Sequence, residues 1–153
     1  MIRVQPEDFD VGVEIGRITD GKTTIGGIGC FVGLVRDIAG EESISSMTLE
    51  HYPGMTERQL ATLEADARQR WPLQDVLIIH RYGTLEPGDR IVLVVTASAH
   101  REAALESCHF LIDWLKTKAP FWKLEATQSG DKWVSARDED DKAAGRWVDE
   151  TTE

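Results

Sequence analysis

The chain has 153 residues, 41 % of them hydrophobic, and a formal net charge of −10 from 17 basic and 27 acidic side chains. That length fits one folded domain with a real core, and the acidic balance disfavours a generic nucleic-acid binder, which would be basic. No apolar run approaches the roughly 20 residues of a membrane span, Met1 to Asp10 lacks the apolar core of a signal peptide, and Cys30 and Cys108 form no CxxC pattern, so a reduced, cytoplasmic setting is expected.

Ile2 to Gln5 reads as a short strand. A first helix follows, capped by Asp8 or Asp10 and carrying Val11, Val13, Ile15 and Ile18. Ile25 to Val35 is apolar but holds glycines at 26, 27, 29 and 33, which predicts a buried strand with a bulge or a close backbone approach. Gly27-x-Gly29 lacks the third glycine of a dinucleotide fingerprint, so a Rossmann domain is rejected. A polar loop, Ala39 to Ser43, leads to a strand over Ile44 to His51, with Met47 and Leu49 on one face and Thr48 and Glu50 on the other.

After the turn Tyr52-Pro53-Gly54, Thr56 is expected to cap a helix with Gln59 completing a capping box and Met55 stapling onto Leu60. Leu60, Leu63, Ala67 and Trp71 form its apolar stripe, and Pro72 stops it. Val76 to Ile79 is a continuous apolar run, the sign of a central strand, and Ile91 to Val95 is its partner across a type II turn at Glu86-Pro87-Gly88-Asp89. A helix running from about Ser98 to Lys118 should bury Ala104, Leu105, Cys108, Leu111, Ile112 and Leu115, and wet Glu102, Glu106, His109, Asp113 and Lys116. Phe121 to Ala126 is a further strand, and a last one around Trp133 and Val134 ends at Arg137. From Asp138 to Glu153 there are seven acids and two bases, half of the net charge, which reads as a solvated, partly mobile tail behind a single domain over 1–137. Strands outnumber about three helices and pair largely through hairpins, so the expected class is α+β with mainly antiparallel strands.

The chemistry-bearing residues centre on Lys116-Thr117-Lys118-Ala119-Pro120-Phe121-Trp122-Lys123, where the longest helix turns into a strand. If the Pro120 corner folds strand on helix, two ammonium groups share one pocket, and their repulsion suits a lysine to acid–base work. The plain alternative is a helix-terminal cation at Lys116 and an exposed strand residue at Lys123. Ser98-Ala99-His100-Arg101 opens a helix, where free N–H groups and the dipole favour an anion and the Arg101 fork suits phosphate; ordinary helix entry with Ser98 as the cap is an equal reading. Arg36 and Arg137 each follow a strand and, taken singly, read as surface arginines. The four histidines show no metal-ligand spacing. Cys30 and Cys108 sit in apolar patterns and read as small buried side chains.

Five stretches together resemble the large, catalytic subunit of molybdopterin synthase: Leu49-Glu50-His51-Tyr52-Pro53-Gly54-Met55, His80-Arg81-Tyr82-Gly83-Thr84-Leu85, Pro87-Gly88-Asp89, Ser98-Ala99-His100-Arg101 and the Lys116 to Lys123 segment. The resemblance covers roughly Gly26 to Trp147. It implies a hammerhead-like α/β fold and a sulfurtransferase that turns cyclic pyranopterin monophosphate into molybdopterin. The two sulfurs come from the C-terminal Gly-Gly thiocarboxylate of a small ubiquitin-like partner, with no cofactor and no metal of the chain's own. It implies a homodimer with a small subunit at each end, a heterotetramer. Carried over by matching position, His100 and Arg101 hold the phosphate, and Leu34, Val35 and Arg36 line the pterin site. Lys123, with Leu124 and Glu125, contacts substrate as acid or base, Lys116 faces the thiocarboxylate, and Arg137 reaches a neighbouring subunit's pocket. The competing expectation is a non-catalytic adaptor that docks a ubiquitin-like Gly-Gly tail; a nucleotide-using transferase lacks any phosphate loop in this sequence.

Overall fold

The computed structural model describes residues 1–37, 44–127, 130–134 and 138–148. The fold is built on the two apolar runs read as central strands. They extend to β4 (Leu73–Arg81) and β6 (Arg90–Ser98), which pair antiparallel. With β1 (Ile2–Gln5) and β2 (Gly27–Leu34) they make a four-stranded sheet in the order β1-β4-β6-β2, where β1 runs parallel to β4. Continuous hydrophobicity is needed because both faces are covered. Val76, Ile78, Val92 and Val94 point to the side of α2 (Met55–Arg70) and α3 (Arg101–Lys118). Leu77, Ile79, Leu93 and Val95 point to α1 (Val11–Thr19).

A second four-stranded sheet is antiparallel throughout, in the order β5-β3-β7-β8, from β5 (Gly83–Leu85), β3 (Ile44–His51), β7 (Phe121–Thr127) and β8 (Gly130–Val134). The chain crosses between the sheets at Tyr82, whose N–H donates to the Gln5 carbonyl. A small core of Val35, Met47, Leu49 and Leu85, with Ile91, Tyr82 and Phe121 against it, fills the junction. The α+β class and the mainly antiparallel strands are as expected. A fourth helix, α4 (Asp138–Gly145), is added to the three read from the sequence.

Several local expectations are corrected. Asp10, not Asp8, caps α1, accepting from the Val13 N–H at 2.9 Å, while Val13 itself is exposed. The cap of α2 is Gly54, at φ +82°, whose N–H donates to Glu57 Oε2 at 2.6 Å. Thr56 is instead fully buried, with its hydroxyl against the Pro120 carbonyl at 3.5 Å. Ser98 belongs to β6 and donates to the Pro72 carbonyl; His100 holds the cap position of α3. Leu105 is 58 % exposed and Asp113 only 9 %. The reason for the second reversal is α4: residues 138–148 are no loose tail but fold back onto α3. Trp147 is buried among Trp71 and Phe110, and its indole N–H donates to Asp113 Oδ2 at 2.8 Å. Acidic composition named this segment as solvated, whereas one tryptophan with a buried acceptor docks it.

Candidate functional site

Gly26 and the glycines of β2 that follow it set the position of α3. A Cβ at Gly26 would lie 2.0 Å from the Ala99 carbonyl oxygen, one at Gly27 3.2 Å from the Arg101 Cα, and one at Gly29 2.2 Å from the Ala104 oxygen. Strand and helix therefore run side by side in the same direction, backbone against backbone. This close approach, with a register break between Gly33 and Leu34, is what the glycine-rich run predicted.

His100 and Arg101 sit exposed at the N-terminus of α3, where no side chain caps the helix amides. With Glu102 and Leu105 they line an open depression. The Arg101 guanidinium, the His100 imidazole and free amides suit an oxyanion.

The other candidates gather at the opposite end. Val35 is buried in the junction core and pinned by the 86–89 turn: its N–H donates to the Asp89 carbonyl at 2.9 Å, and its carbonyl accepts from Gly88 at 2.7 Å. Gly88, at φ +92°, is the residue that lets that turn form. With its backbone so occupied, Val35 presents Leu34, 55 % exposed, and Arg36, also exposed, on either side. Phe121, first residue of β7, packs against the same core. Lys116 is exposed on the last turn of α3, and only Ala119-Pro120 separates that helix from β7. On β7, Lys123 pairs in register with Leu49 and Val134, half-buried Leu124 with Thr48 and Trp133, and Glu125 with Met47 and Lys132. Arg137 lies outside the described residues.

So Arg36, Lys116 and the β7 backbone carrying Lys123 share one end of the molecule, while His100 and Arg101 share the other. Eight-residue β2 separates the two ends by roughly 23 Å, and Arg101 and Lys116 are roughly 22 Å apart along α3. One chain does not bring the two groups together.

Neither thiol is activated. Burial pushes Cys108 up to about 12, and desolvation raises Cys30, which nonetheless is exposed rather than buried as expected. Among the described residues no group of three or more His, Cys, Asp or Glu side chains is placed to hold a metal ion, and no helix is long and apolar enough to cross a membrane.

Residue-level reading passed over what holds the corner. Sequence pattern suggests a helix cap at Thr56 and shows only an absence of metal-ligand spacing at His51 and His80. In the fold, His51 pairs with Phe121 across β3 and β7, and the His80 ring stacks on the Phe121 ring at 3.7 Å. Their presence in the resembling stretches was the available signal.

Comparison with known proteins gives the family of the chain. The family model described as MoaE protein matches residues 4–118. A molybdopterin synthase catalytic subunit of Ralstonia nicotianae is 52 % identical over 146 residues, covering 95 % of this chain and 83 % of the relative. The protein of the same name from Escherichia coli K12 is 50 % identical over 146 residues, covering 95 % and 97 %. The solved molybdopterin biosynthesis MoaE protein of Burkholderia ambifaria superposes with a TM-score of 0.83 at 49 % identity, covering 96 % of this chain and 97 % of that one. With a family match over most of its length and relatives near half identity end to end, the chain belongs to the MoaE protein family.

Proposed function

We propose that this chain is the catalytic subunit of a molybdopterin synthase, a sulfurtransferase that makes the dithiolene of molybdopterin from cyclic pyranopterin monophosphate. The observation that carries the reading is the corner at Pro120, which sets exposed Lys116 beside the strand of Lys123 and within the same end as Arg36. The sulfur comes from the C-terminal thiocarboxylate of a small ubiquitin-like carrier. The chain's own thiols are poor relays, since both are held protonated at neutral pH. No cofactor of the chain's own takes part.

In this reading Lys116 meets the carrier's thiocarboxylate and balances the charge that develops as sulfur attacks. Lys123 exchanges a proton with the substrate, with Leu124 and Glu125 beside it. Arg36 binds the pterin by hydrogen bonds and Leu34 offers it an apolar surface; Val35 holds both in place rather than touching substrate through its occupied N–H. The phosphate needs His100 and Arg101, and the distance along β2 means that a second copy supplies them. The catalytic unit is then a homodimer with one carrier at each end, and Arg137 reaches across as well.

The test is a single-turnover reaction with thiocarboxylated carrier and cyclic pyranopterin monophosphate, read by mass spectrometry. Wild type should yield the dithiolene, and Lys116→Ala should be slower by at least about 100-fold, the scale of a lost charge-stabilising group. A folded wild type that binds the carrier and forms no product would leave an adaptor instead.

A further inference from the structure

Resting on that reading, we infer that His80 and His51 are positioning residues: their rings clamp Phe121 and thereby fix how the sheet bearing Lys123 sits against the sheet and helix bearing Lys116. The two lysines belong to different halves of the fold. Lys116 is on α3, which packs on β2 and β6 of the first sheet. Lys123 is on β7 of the second. Their separation is set by the angle and offset between the halves. Much of the junction core is aliphatic, and aliphatic side chains tolerate small slides at little cost.

The flat rings are what resist such slides. His80 is the penultimate residue of β4 in the first sheet, 6 % exposed, and its ring lies on that of Phe121, in the second, at 3.7 Å between centroids and 17° between planes. Its own orientation is fixed, because Nδ1 lies 2.8 Å from the Arg81 carbonyl oxygen, which can only accept, so Nδ1 carries a proton. On the second sheet His51 sits 6.2 Å from Phe121 and 4.3 Å from Tyr82, the residue at which the chain crosses between sheets. The backbone before Phe121 is held as well, by the Thr56 hydroxyl at the Pro120 carbonyl. Phe121 is thus gripped from both sheets two residues before Lys123. Both histidines act on the site through Phe121.

The experiment separates this from the proposed function by two readouts. Spin labels at Gln69→Cys on α2 and Glu50→Cys on β3, in a Cys30→Ser background, report the distance between the halves by pulsed dipolar spectroscopy. Single-turnover sulfur transfer and carrier affinity are measured on the unlabelled variants. For His80→Leu we expect a broadened inter-label distance and a turnover loss of about 10- to 100-fold, as a misplacement near 1 Å produces, with carrier affinity unchanged. For His80→Phe, which retains a ring, both return towards wild type. His51→Leu, at a half-exposed position, gives the same pattern more mildly and stands in if His80→Leu does not fold. A wild-type distance and rate in His80→Leu overturns the inference. So does a rate loss that His80→Phe does not rescue, which would mean that the imidazole acts by its proton. If wild type itself makes no dithiolene, the proposed function fails while the distance measurement still decides the clamp.

Discussion

At the scale of single residues, the ion pair between Asp8 and Arg90 shows how an exposed contact leaves a readable trace. Arg90 donates to both Asp8 oxygens, at 3.0 and 2.6 Å, and these hydrogen bonds hold the carboxyl at about 2, below its ordinary 3.8. The folded state then binds that proton less readily than the unfolded chain. The pair's contribution is present above about pH 4 and is lost as pH falls towards about 2. Asp8→Asn should therefore flatten the acid limb of a melting temperature against pH profile between those values and slightly lower the melting temperature at pH 7. Added salt should shrink the difference, because Asp8 is half exposed. Parallel acid limbs in calorimetry would show that the pair contributes nothing. The local alphabet of the chain is legible at this scale only in part. The 86–89 turn follows from Pro87-Gly88, but Thr56 and Asp113 take roles that their neighbours in sequence do not suggest, because their partners, Pro120 and Trp147, lie 64 and 34 residues away.

At the scale of elements, the packing of α3 on β2 turns on glycine. Thr96 donates its hydroxyl to the Ala104 carbonyl at 2.6 Å, and a Cβ at Gly29 would intrude on both, 2.7 Å from the one and 2.2 Å from the other. These are backbone and buried atoms, so nothing cheap can yield. Gly29→Ala should cost about 2–4 kcal/mol in urea unfolding, the sum of overpacking and a disturbed buried hydrogen bond. Gly16→Ala, on the open face of α1 with nothing within 4 Å, should instead stabilise by about 0.5–1 kcal/mol. Equal effects would refute the close-approach account. The glycine-rich run announced this contact, and the alternating and continuous apolar runs announced β3, β4 and β6, because burial on one or two faces writes itself directly into residue type. The faces of α3 were less legible. A helical wheel sorts residues by polarity, whereas Asp113 is buried by α4, a partner that composition had assigned to solvent, and Leu105 is left in the open beside the α3 N-terminus.

At the scale of the whole molecule, the sequence nominates candidate site residues, and the fold alone decides how they are distributed. Motifs gather Arg36, His100, Arg101 and Lys116 by type, but which end of the fold each occupies depends on strand direction and on α3 running alongside β2. On the proposed reading that separation makes a sharp prediction. If the phosphate-binding pair comes from a second copy, Arg101→Ala and Lys116→Ala each disable both sites of their own homodimer by different routes. Unfolded together and refolded as a mixture, they form heterodimers in which one site holds both defects and the other holds none. At equal amounts about half of the dimers are mixed and about a quarter of all sites are intact, so the mixture should recover about a quarter of wild-type turnover from two nearly inactive parents. A site completed within one chain gives a different result, since every chain in the mixture carries a defect and no recovery is possible. Turnover that stays at the level of the parents, in a mixture shown by mass spectrometry to contain the heterodimer, would mean that Arg101 and Lys116 serve one site from the same chain, whereas an Arg101→Ala homodimer that is itself active would place His100 and Arg101 outside that site and send the phosphate to Arg36 and its neighbours at the Pro120 corner.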